Sequence, residues 1–377
     1  MGAKNRIVSK DLNMTTIIHC ADLHLTSGKE RDYSLAVLDE ILTVADKEWV
    51  RYLLISGDLF DSFDDAVNLR AEFRRRTESV SSKCHIIYIP GNHEDLGKGN
   101  RALSSLDIGT LQVCLTTPFE VIVYPEIEFL CIPHQADYRD YHEWSIPPKK
   151  APIRIALAHG LVSGIDIYAG PELEEEGAVG TIDPDLFTRF DVDYAAMGHI
   201  HIWRKEQYGR TWISYPGSSR VWRRGENGPR GVNLIKTDQS VQMEFYPLAS
   251  SGRYRQYHLP LTLEGSIEDL VTITSSWKEN DWIDLNFTGI VEDENAVGEL
   301  EKKLRSEQGE RVRKIEIDRT DVQPLPGIMS QTIVKQFLET WKKRKPDSVD
   351  DRAHTVWLKA RQMGLEQIKN VMEAKKC

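Results

Sequence analysis

The sequence has no run of about 18 apolar residues, so no segment is expected to span a membrane as a helix. Its opening stretch, MGAKNRIVSKDLNMTT, lacks the apolar centre of a signal peptide, and the chain is expected to be cytoplasmic. Cysteine is scarce: Cys20, Cys84, Cys114, Cys131 and Cys377, an odd number with no C-x-x-C pair. That excludes a disulfide scaffold and leaves no thiolate knuckle for structural zinc. Three of the five sit beside apolar runs (IIHC, QVCL, FLCI), and all are expected to be reduced and non-catalytic. Positive charge is also short, with 48 Lys and Arg against 58 Asp and Glu, a net charge of −10. A protein that grips nucleic acid unaided usually carries a basic footprint, and over the whole chain this one does not. No internal repeat is visible.

What is present is a long alternation of strand-like and helical patterns. At 377 residues the chain is expected to hold more than one domain. Over residues 1–246, apolar runs such as TTIIHC, YLLIS, HIIYI, RIALAH and YAAMG each run into a polar loop. Continuous apolar runs are the signature of strands covered on both faces, and predict an α/β fold. Between them, Leu35, Leu38, Ile41, Leu42 and Ala45 have helical spacing. Residues 247–320 predict a strand-helix-strand-helix-strand unit, with helices at 267–277 and near 296–306. DVQPLPG, at the head of residues 321–328, reads as a linker. Residues 329–377 turn helical, with apolar stripes at Ile333, Phe337 and Trp341, then at Trp357, Ala360, Leu365, Ile368 and Met372. This arm carries eleven Lys and Arg against six Asp and Glu. Two such helices cannot bury both stripes alone, so they either fold back on the body or bind a partner.

The chemistry is concentrated in five short motifs at strand ends: Asp22-Leu23-His24, Gly57-Asp58-Leu59-Phe60-Asp61, Gly91-Asn92-His93-Glu94, His159-Gly160 and Gly198-His199-Ile200-His201. Strand ends are where α/β sheets place their ligands. Imidazole, carboxylate and amide oxygen together suit manganese, iron or zinc. Two cations roughly 4 Å apart both activate a water and neutralise a phosphate, which is what hydrolysis of a phosphate ester needs. Asp58 is assigned as the bridge between them. Asp22, His24 and His201 then complete one metal, and Asn92, His159 and His199 the other. His93, next to Asn92, is expected to face the substrate as transition-state stabiliser or general acid. Gly57, Gly91 and Gly198 are expected to allow close backbone approach. His19, His85, His134, His142, His258 and His354 are read as core or solvated histidines, His134 and His142 least securely.

This order of motifs resembles the calcineurin-like metallophosphoesterase superfamily. More narrowly, ADLHL, GDLFD, GNHE, AHG, GHIH and YPGSSR (residues 215–220) resemble the SbcD family of nucleases in double-strand-break repair. The resemblance implies a four-layer α-β-β-α sandwich with a small α/β capping domain and C-terminal helices. It implies a manganese-dependent DNA exonuclease and single-strand endonuclease, dimeric through the phosphoesterase domain. It also implies that residues 247–320 act as the cap and that 329–377 bind an SbcC-type coiled-coil ATPase. Relatives from archaea and eukaryotes carry histidine where this chain has Asp61, and bacterial members often have aspartate. Asp61 is therefore placed behind the ligands.

Lys98, Arg101, Arg220, Arg223 and Arg224 are the candidate DNA contacts, with Trp222 among them for stacking. Arg74-Arg75-Arg76 and the acidic run at 172–176 are as well explained by solvated surfaces. The competing readings are a calcineurin-like enzyme acting on nucleotides or other small phosphate esters, and a metal-dependent scaffold that tethers an ATPase.

Overall fold

A computed structural model describes residues 14–94, 106–135, 138–165, 180–238, 240–325, 332–346 and 351–374. The chain forms two compact units, Met1–Arg253 and Tyr254–Cys377.

The first unit is built on two six-stranded sheets. One orders its strands Val241–Pro247, Gly231–Thr237, Thr15–Cys20, Tyr52–Ser56, His85–Ile89 and Gln112–Val113. The other runs Arg204–Tyr208, Thr211–Tyr215, Tyr194–Gly198, Ile153–His159, Ile127–Ile132 and Glu120–Val123. Side chains alternate across a strand, and both faces are apolar here. Ile17, Tyr52, Leu54, Ile87 and Ile89 meet Phe129, Cys131, Ile155, Leu157 and Tyr194 between the sheets. Ile18, Leu53 and Ile55 face outward, onto helix Arg31–Lys47 and helix Phe63–Thr77. The second sheet's outer face packs Leu130, Ala156 and Met197 with Tyr141, Leu186 and Phe187, the last two on the short helix Asp185–Arg189. Helix Arg31–Lys47 buries Leu35, Leu38, Ile41, Leu42 and Ala45, the five positions expected to face the core. Each large apolar side chain so buried stabilises the layer by roughly 2 kcal/mol relative to exposure. The Ser62 hydroxyl caps helix Phe63–Thr77 by accepting from the Asp65 N–H at 3.1 Å.

One buried polar network crosses this interior. His19 Nδ1 pairs with the Tyr194 hydroxyl at 2.8 Å, and the Asn233 amide donates to that hydroxyl and to Ser214 Oγ, each at 3.0 Å. His19 belongs to one sheet and Tyr194 to the other, so the network pins their register.

The strands that matter for chemistry run parallel. Thr15–Cys20, Tyr52–Ser56 and His85–Ile89 are parallel neighbours in the first sheet. Ile153–His159 and Tyr194–Gly198 are parallel neighbours in the second. Each set therefore delivers its carboxyl ends, and the five motifs, to a single edge of its sheet.

The second unit has a three-stranded parallel sheet, Tyr254–Pro260, Trp282–Val291 and Lys314–Pro324. Its strand and helix order is as expected, with helix Glu294–Gln308 capped by Asp293. The first helix is shorter than expected. It covers only Leu270–Ser275, because Asp269 takes a left-handed backbone conformation immediately before it.

Three boundaries differ from the sequence expectation. Residues 247–253 belong to the first unit: Pro247 ends a paired strand, and the Glu40 carboxylate accepts from the Ala249 and Ser250 N–H groups at 2.9 and 2.7 Å. The first four residues of the expected linker, 321–324, are strand, paired with residues 288–291. Helices Thr332–Lys343 and Asp351–Ala374 belong to the same compact unit as the small sheet. They bury Val334, Leu338 and Leu365 against Leu263 and Ile290. The buried stripe of the first of these helices is Val334, Leu338 and Trp341, and Ile333 is exposed. Of the expected stripe, Trp341 is buried and Phe337 packs on the same core, and only Ile333 turns away. Trp341 and Trp357 join the two helices, their rings stacked at 3.6 Å with each indole N–H donated to the other's carbonyl.

Cys20, Cys84, Cys114 and Cys131 are unpaired and buried, and Cys377 lies outside the described residues. No described helix is long and apolar enough to cross a membrane.

Candidate metal centre

The seven candidate ligands come from five separate strand ends and converge. Asp22, His24 and His201 place ligand atoms within 4.8 Å of one another, as do Asp22, Asp58 and His159. Asn92 Oδ1 lies 2.8 Å from His159 Nε2 and 3.3 Å from His199 Nδ1. His159 Nε2 is 3.4 Å from Asp58 Oδ2. The Asp22 carboxylate accepts the His199 N–H, at 3.0 and 3.1 Å to its two oxygens, tying the first motif to the last. All but Asn92, which is half-buried, are buried.

The backbone is strained to achieve this. Asp22, His24, Asp58 and His199 all have positive φ, at 52°, 44°, 48° and 99°. Such values are uncommon for residues other than glycine and tend to cluster at functional sites. Three glycines make room for the ligands, and a Cβ on Gly91 would collide with the Asp58 carboxylate. A Cβ on Gly57 would collide with the His159 ring, and one on Gly198 with the Ser56 carbonyl and that same ring.

Hydrogen-bond chemistry shows that the donor set fits a cation. His159 Nδ1 is 2.9 Å from the Ser56 carbonyl, which can only accept, so Nδ1 carries the proton. The other ring nitrogen, Nε2, then faces two further acceptors, Asn92 Oδ1 and Asp58 Oδ2. A ring nitrogen set against a carboxylate and an amide oxygen is satisfied by a second ring proton or by a metal ion. His201 repeats the pattern, and His24 lies beside it. His201 Nδ1 is 2.7 Å from the Glu226 carboxylate, and His24 Nδ1 is 3.4 Å from that of Asp61. Their Nε2 atoms face each other at 3.2 Å.

The electrostatics agree. Burial opposes charge on His159, but Asp58 and then Asp22 outweigh it and raise its pKa to about 10. Burial would also raise Asp58, yet His159, and then His24 and His93, hold it well below the usual carboxylate range. Burial raises Asp22 to about 7. His24 is driven far down by burial and is neutral, as a metal ligand must be.

His93 stands beside the cluster. Its N–H donates to Asp58 Oδ1 at 3.0 Å, its Nδ1 lies 3.1 Å from the Asp61 carbonyl, and its ring meets His24 edge-on. Asp61 is half-buried behind His24, and burial raises its pKa.

Four residues to which sequence reasoning gave no part in the metal centre shape it. Glu94, inside the quoted GNHE motif, is fully buried and accepts the N–H groups of Asp58, Phe60 and Gly91 at 3.1, 2.8 and 2.8 Å. It thereby locks the second motif to the third. Glu226 orients His201. Trp222 lies flat on His24, with ring centroids 3.7 Å apart and planes 5° apart. His134, read as a bystander, meets the His159 ring edge-on at 5.9 Å.

The expected DNA contacts divide. Arg220 is a correction: it is 1% exposed and its guanidinium donates to the Leu23 and His24 carbonyls and to Glu30. It holds the first motif in place and cannot reach a solvent-borne phosphate. Arg223 lies over the Trp222 ring at 4.0 Å, and Arg224 is exposed. Lys98, Arg101 and the acidic run at 172–176 fall outside the described residues. Arg74, Arg75 and Arg76 pair with Glu78, Glu72 and Asp39 in a solvated face.

Comparison with known proteins places this geometry. The sequence profile of the calcineurin-like phosphoesterases matches residues 15–203, half of the chain and all seven candidate ligands. The metallophosphoesterase YhaO of Bacillus subtilis is 23% identical over 61% of this chain and 59% of its own length. The DNA double-strand break repair protein Mre11 of Halobacterium salinarum is 25% identical over 59% of this chain and 56% of its own. The SbcD component of the B. subtilis nuclease SbcCD is 24% identical over 78% of this chain and 83% of its own. The matched region thus spans a little over half the length of the first two relatives.

Proposed function

Because the chain belongs to the calcineurin-like phosphoesterase family, and is thereby a metal-dependent phosphoester hydrolase, we propose that the centre holds two divalent cations, Mn2+ in the cell, and cleaves DNA phosphodiesters. The observation that carries this is the meeting of Asp58 and Asn92 oxygens with an outward-facing His159 nitrogen, beside the facing nitrogens of His24 and His201. Asp22, His24 and His201 form one ligand group and Asn92, His159 and His199 the other, with Asp58 between them. A cation pair bound there supplies water activation and charge neutralisation at the phosphate. The protein's own part is positional. Asp58 fixes the spacing, and Glu94 holds the loops carrying Asp58 and Asn92 together. His93, whose Nδ1 is turned to the Asp61 carbonyl, is the residue proposed to meet the phosphate or its leaving oxygen.

DNA is chosen as substrate because two of the relatives are a break-repair protein and a nuclease component. Following the motif resemblance, the proposed setting is a cytoplasmic repair complex, with exonuclease and single-strand endonuclease activity on a homodimer. Its partner would be an SbcC-type coiled-coil ATPase bound through residues 329–377. In support, helix Asp351–Ala374 leaves Val356, Met363 and Val371 exposed. Residues 254–320 are proposed as the cap. The second reading, a phosphodiesterase for nucleotides or other small esters, is favoured by one observation: Arg220 is turned inward, which leaves a chain of net charge −10 with one fewer cation for a long polyanion.

The deciding experiment is Mn2+-dependent turnover of linear DNA, hairpin DNA, cyclic nucleotides and bis-p-nitrophenyl phosphate by wild type and Asp58→Asn. DNA cleavage that Asp58→Asn abolishes supports the first reading. Turnover of the small esters alone supports the second.

A further inference from the structure

We infer that the turn from Trp222 to Glu226 is a clamp built onto one of the two cation groups, with Trp222 and Glu226 as positioning residues for His24 and His201. The inference rests on the two-metal reading above and deepens it.

The turn lies between strand Thr211–Tyr215 and strand Gly231–Thr237 and contributes no candidate ligand. Its contacts nevertheless go to two of them. The buried Glu226 carboxylate faces His201 Nδ1 at 2.7 Å through one oxygen, and accepts the Trp222 N–H at 2.8 Å through the other. Arg230 sits 3.6 Å away and balances its charge. A carboxylate that takes the distal proton of a ligand histidine fixes its tautomer and aims the other nitrogen at the metal. Here that other nitrogen is His201 Nε2, which faces His24 Nε2.

The same carboxylate, by holding the Trp222 backbone, sets the indole on His24. The stack is close and nearly parallel. Arg223 lies 4.0 Å from the same indole centroid. Two groups that close to one centroid cannot share a face, so the indole is held between imidazole and guanidinium. A cation on an indole face is attracted by the ring quadrupole, which strengthens such an arrangement. The His24 ring, covered on one face by the indole and with Nδ1 toward Asp61, cannot turn about its Cβ–Cγ bond without breaking the stack. His159, in the other group, is fixed from the main chain, by Ser56. The two cation groups are therefore oriented by different parts of the protein and are separable by mutation.

The test is Mn2+ titration of the full chain by calorimetry, with tryptophan fluorescence followed in parallel. Wild type binds two Mn2+, and the paramagnetic ion at His24 quenches the indole lying on that ring. In Trp222→Ala and Glu226→Gln one binding step weakens about 10- to 100-fold, while the other is unchanged. Trp222→Phe keeps a flat ring on His24, restores both steps and loses a distinct part of the quench. Glu226→Gln disturbs a buried pair with Arg230, so if it does not fold, Trp222→Ala, at a half-buried position, decides the matter. Two steps of wild-type affinity in Trp222→Ala, with the quench intact in Trp222→Phe, would overturn the clamp. Absence of any Mn2+ uptake by wild type would overturn the two-metal reading beneath it, which is a separate result.

Discussion

The Nε2 atoms of His24 and His201, whose residues lie on loops from the two different sheets, face each other at 3.2 Å while each ring turns its Nδ1 to a carboxylate. At that distance either one ring donates its Nε2–H to the other or a cation takes both lone pairs. The arrangement makes sense as a site prepared for a cation, and it leads to predictions about protons as well as metals.

Metal uptake should release protons. The pKa of His159 is raised to about 10 by Asp58 and Asp22, so without metal its ring is protonated at neutral pH. Binding must displace that proton. Apparent Mn2+ affinity should therefore rise with pH, by about tenfold per unit for each proton displaced between pH 6 and 9. Calorimetry in buffers of different ionisation enthalpy counts the protons, and a count of zero would contradict the assignment of His159.

Glu94 should matter to stability as well as to the site. Glu94→Ala leaves the N–H groups of Asp58, Phe60 and Gly91 buried without their acceptor. An unpaired buried N–H costs about 1–3 kcal/mol, so denaturant unfolding should show a loss of at least roughly 3 kcal/mol. Metal affinity should fall with it, because the loops bearing Asp58 and Asn92 are no longer locked together. A loss under 1 kcal/mol would mean that water replaces the carboxylate.

His19 predicts an acid-sensitive interior. Burial lowers its pKa to about 3 from an unfolded value of 6.5, so the folded protein holds it neutral. The unfolded chain binds the proton first as pH falls, and this contribution to stability, complete above pH 6.5, is lost progressively down to about pH 3. Between pH 7 and 5 the wild type should lose about 2 kcal/mol more than His19→Gln, which keeps a partner for Tyr194 but does not titrate. Parallel losses in the two proteins would show that His19 is protonated in the fold.

Trp341 and Trp357 should give an exciton signal in the circular dichroism spectrum, since their rings are stacked at 3.6 Å with 15° between planes. Trp341→Phe should abolish the couplet, and it removes one of the two reciprocal indole bonds between the helices. It should destabilise the second unit by about 1–2 kcal/mol. A couplet that persists in Trp341→Phe would mean that the signal arises elsewhere.

The legible part of this protein was the part written locally. Each candidate ligand follows a continuous apolar run, and a strand end feeding a polar loop can be read without knowing where the other strands lie. Partners defined only by the fold were not legible. Glu226 is 25 residues from His201 and obeys no spacing rule, and the stacking of Trp222 on His24 spans most of the first unit's sequence. Arg220 was misread because sequence gives a charge but not its direction, and this guanidinium points inward to the Leu23 and His24 carbonyls. Ile333 differs from Phe337 and Trp341 for a related reason: a helix with apolar residues on adjacent faces is resolved only by what it packs on, here Leu263 and Ile290. The expected linker at 321–328 was drawn from its prolines, yet Pro324 ends an edge strand, a place where a missing N–H costs little.

The most direct test of the metal centre is anomalous diffraction at the manganese edge from crystals grown with Mn2+. Two peaks are predicted in one pocket, one within bonding distance of Asp22, His24 and His201, the other of Asn92, His159 and His199, with Asp58 touching both. A single peak away from His159, or none at saturating Mn2+, would contradict the account.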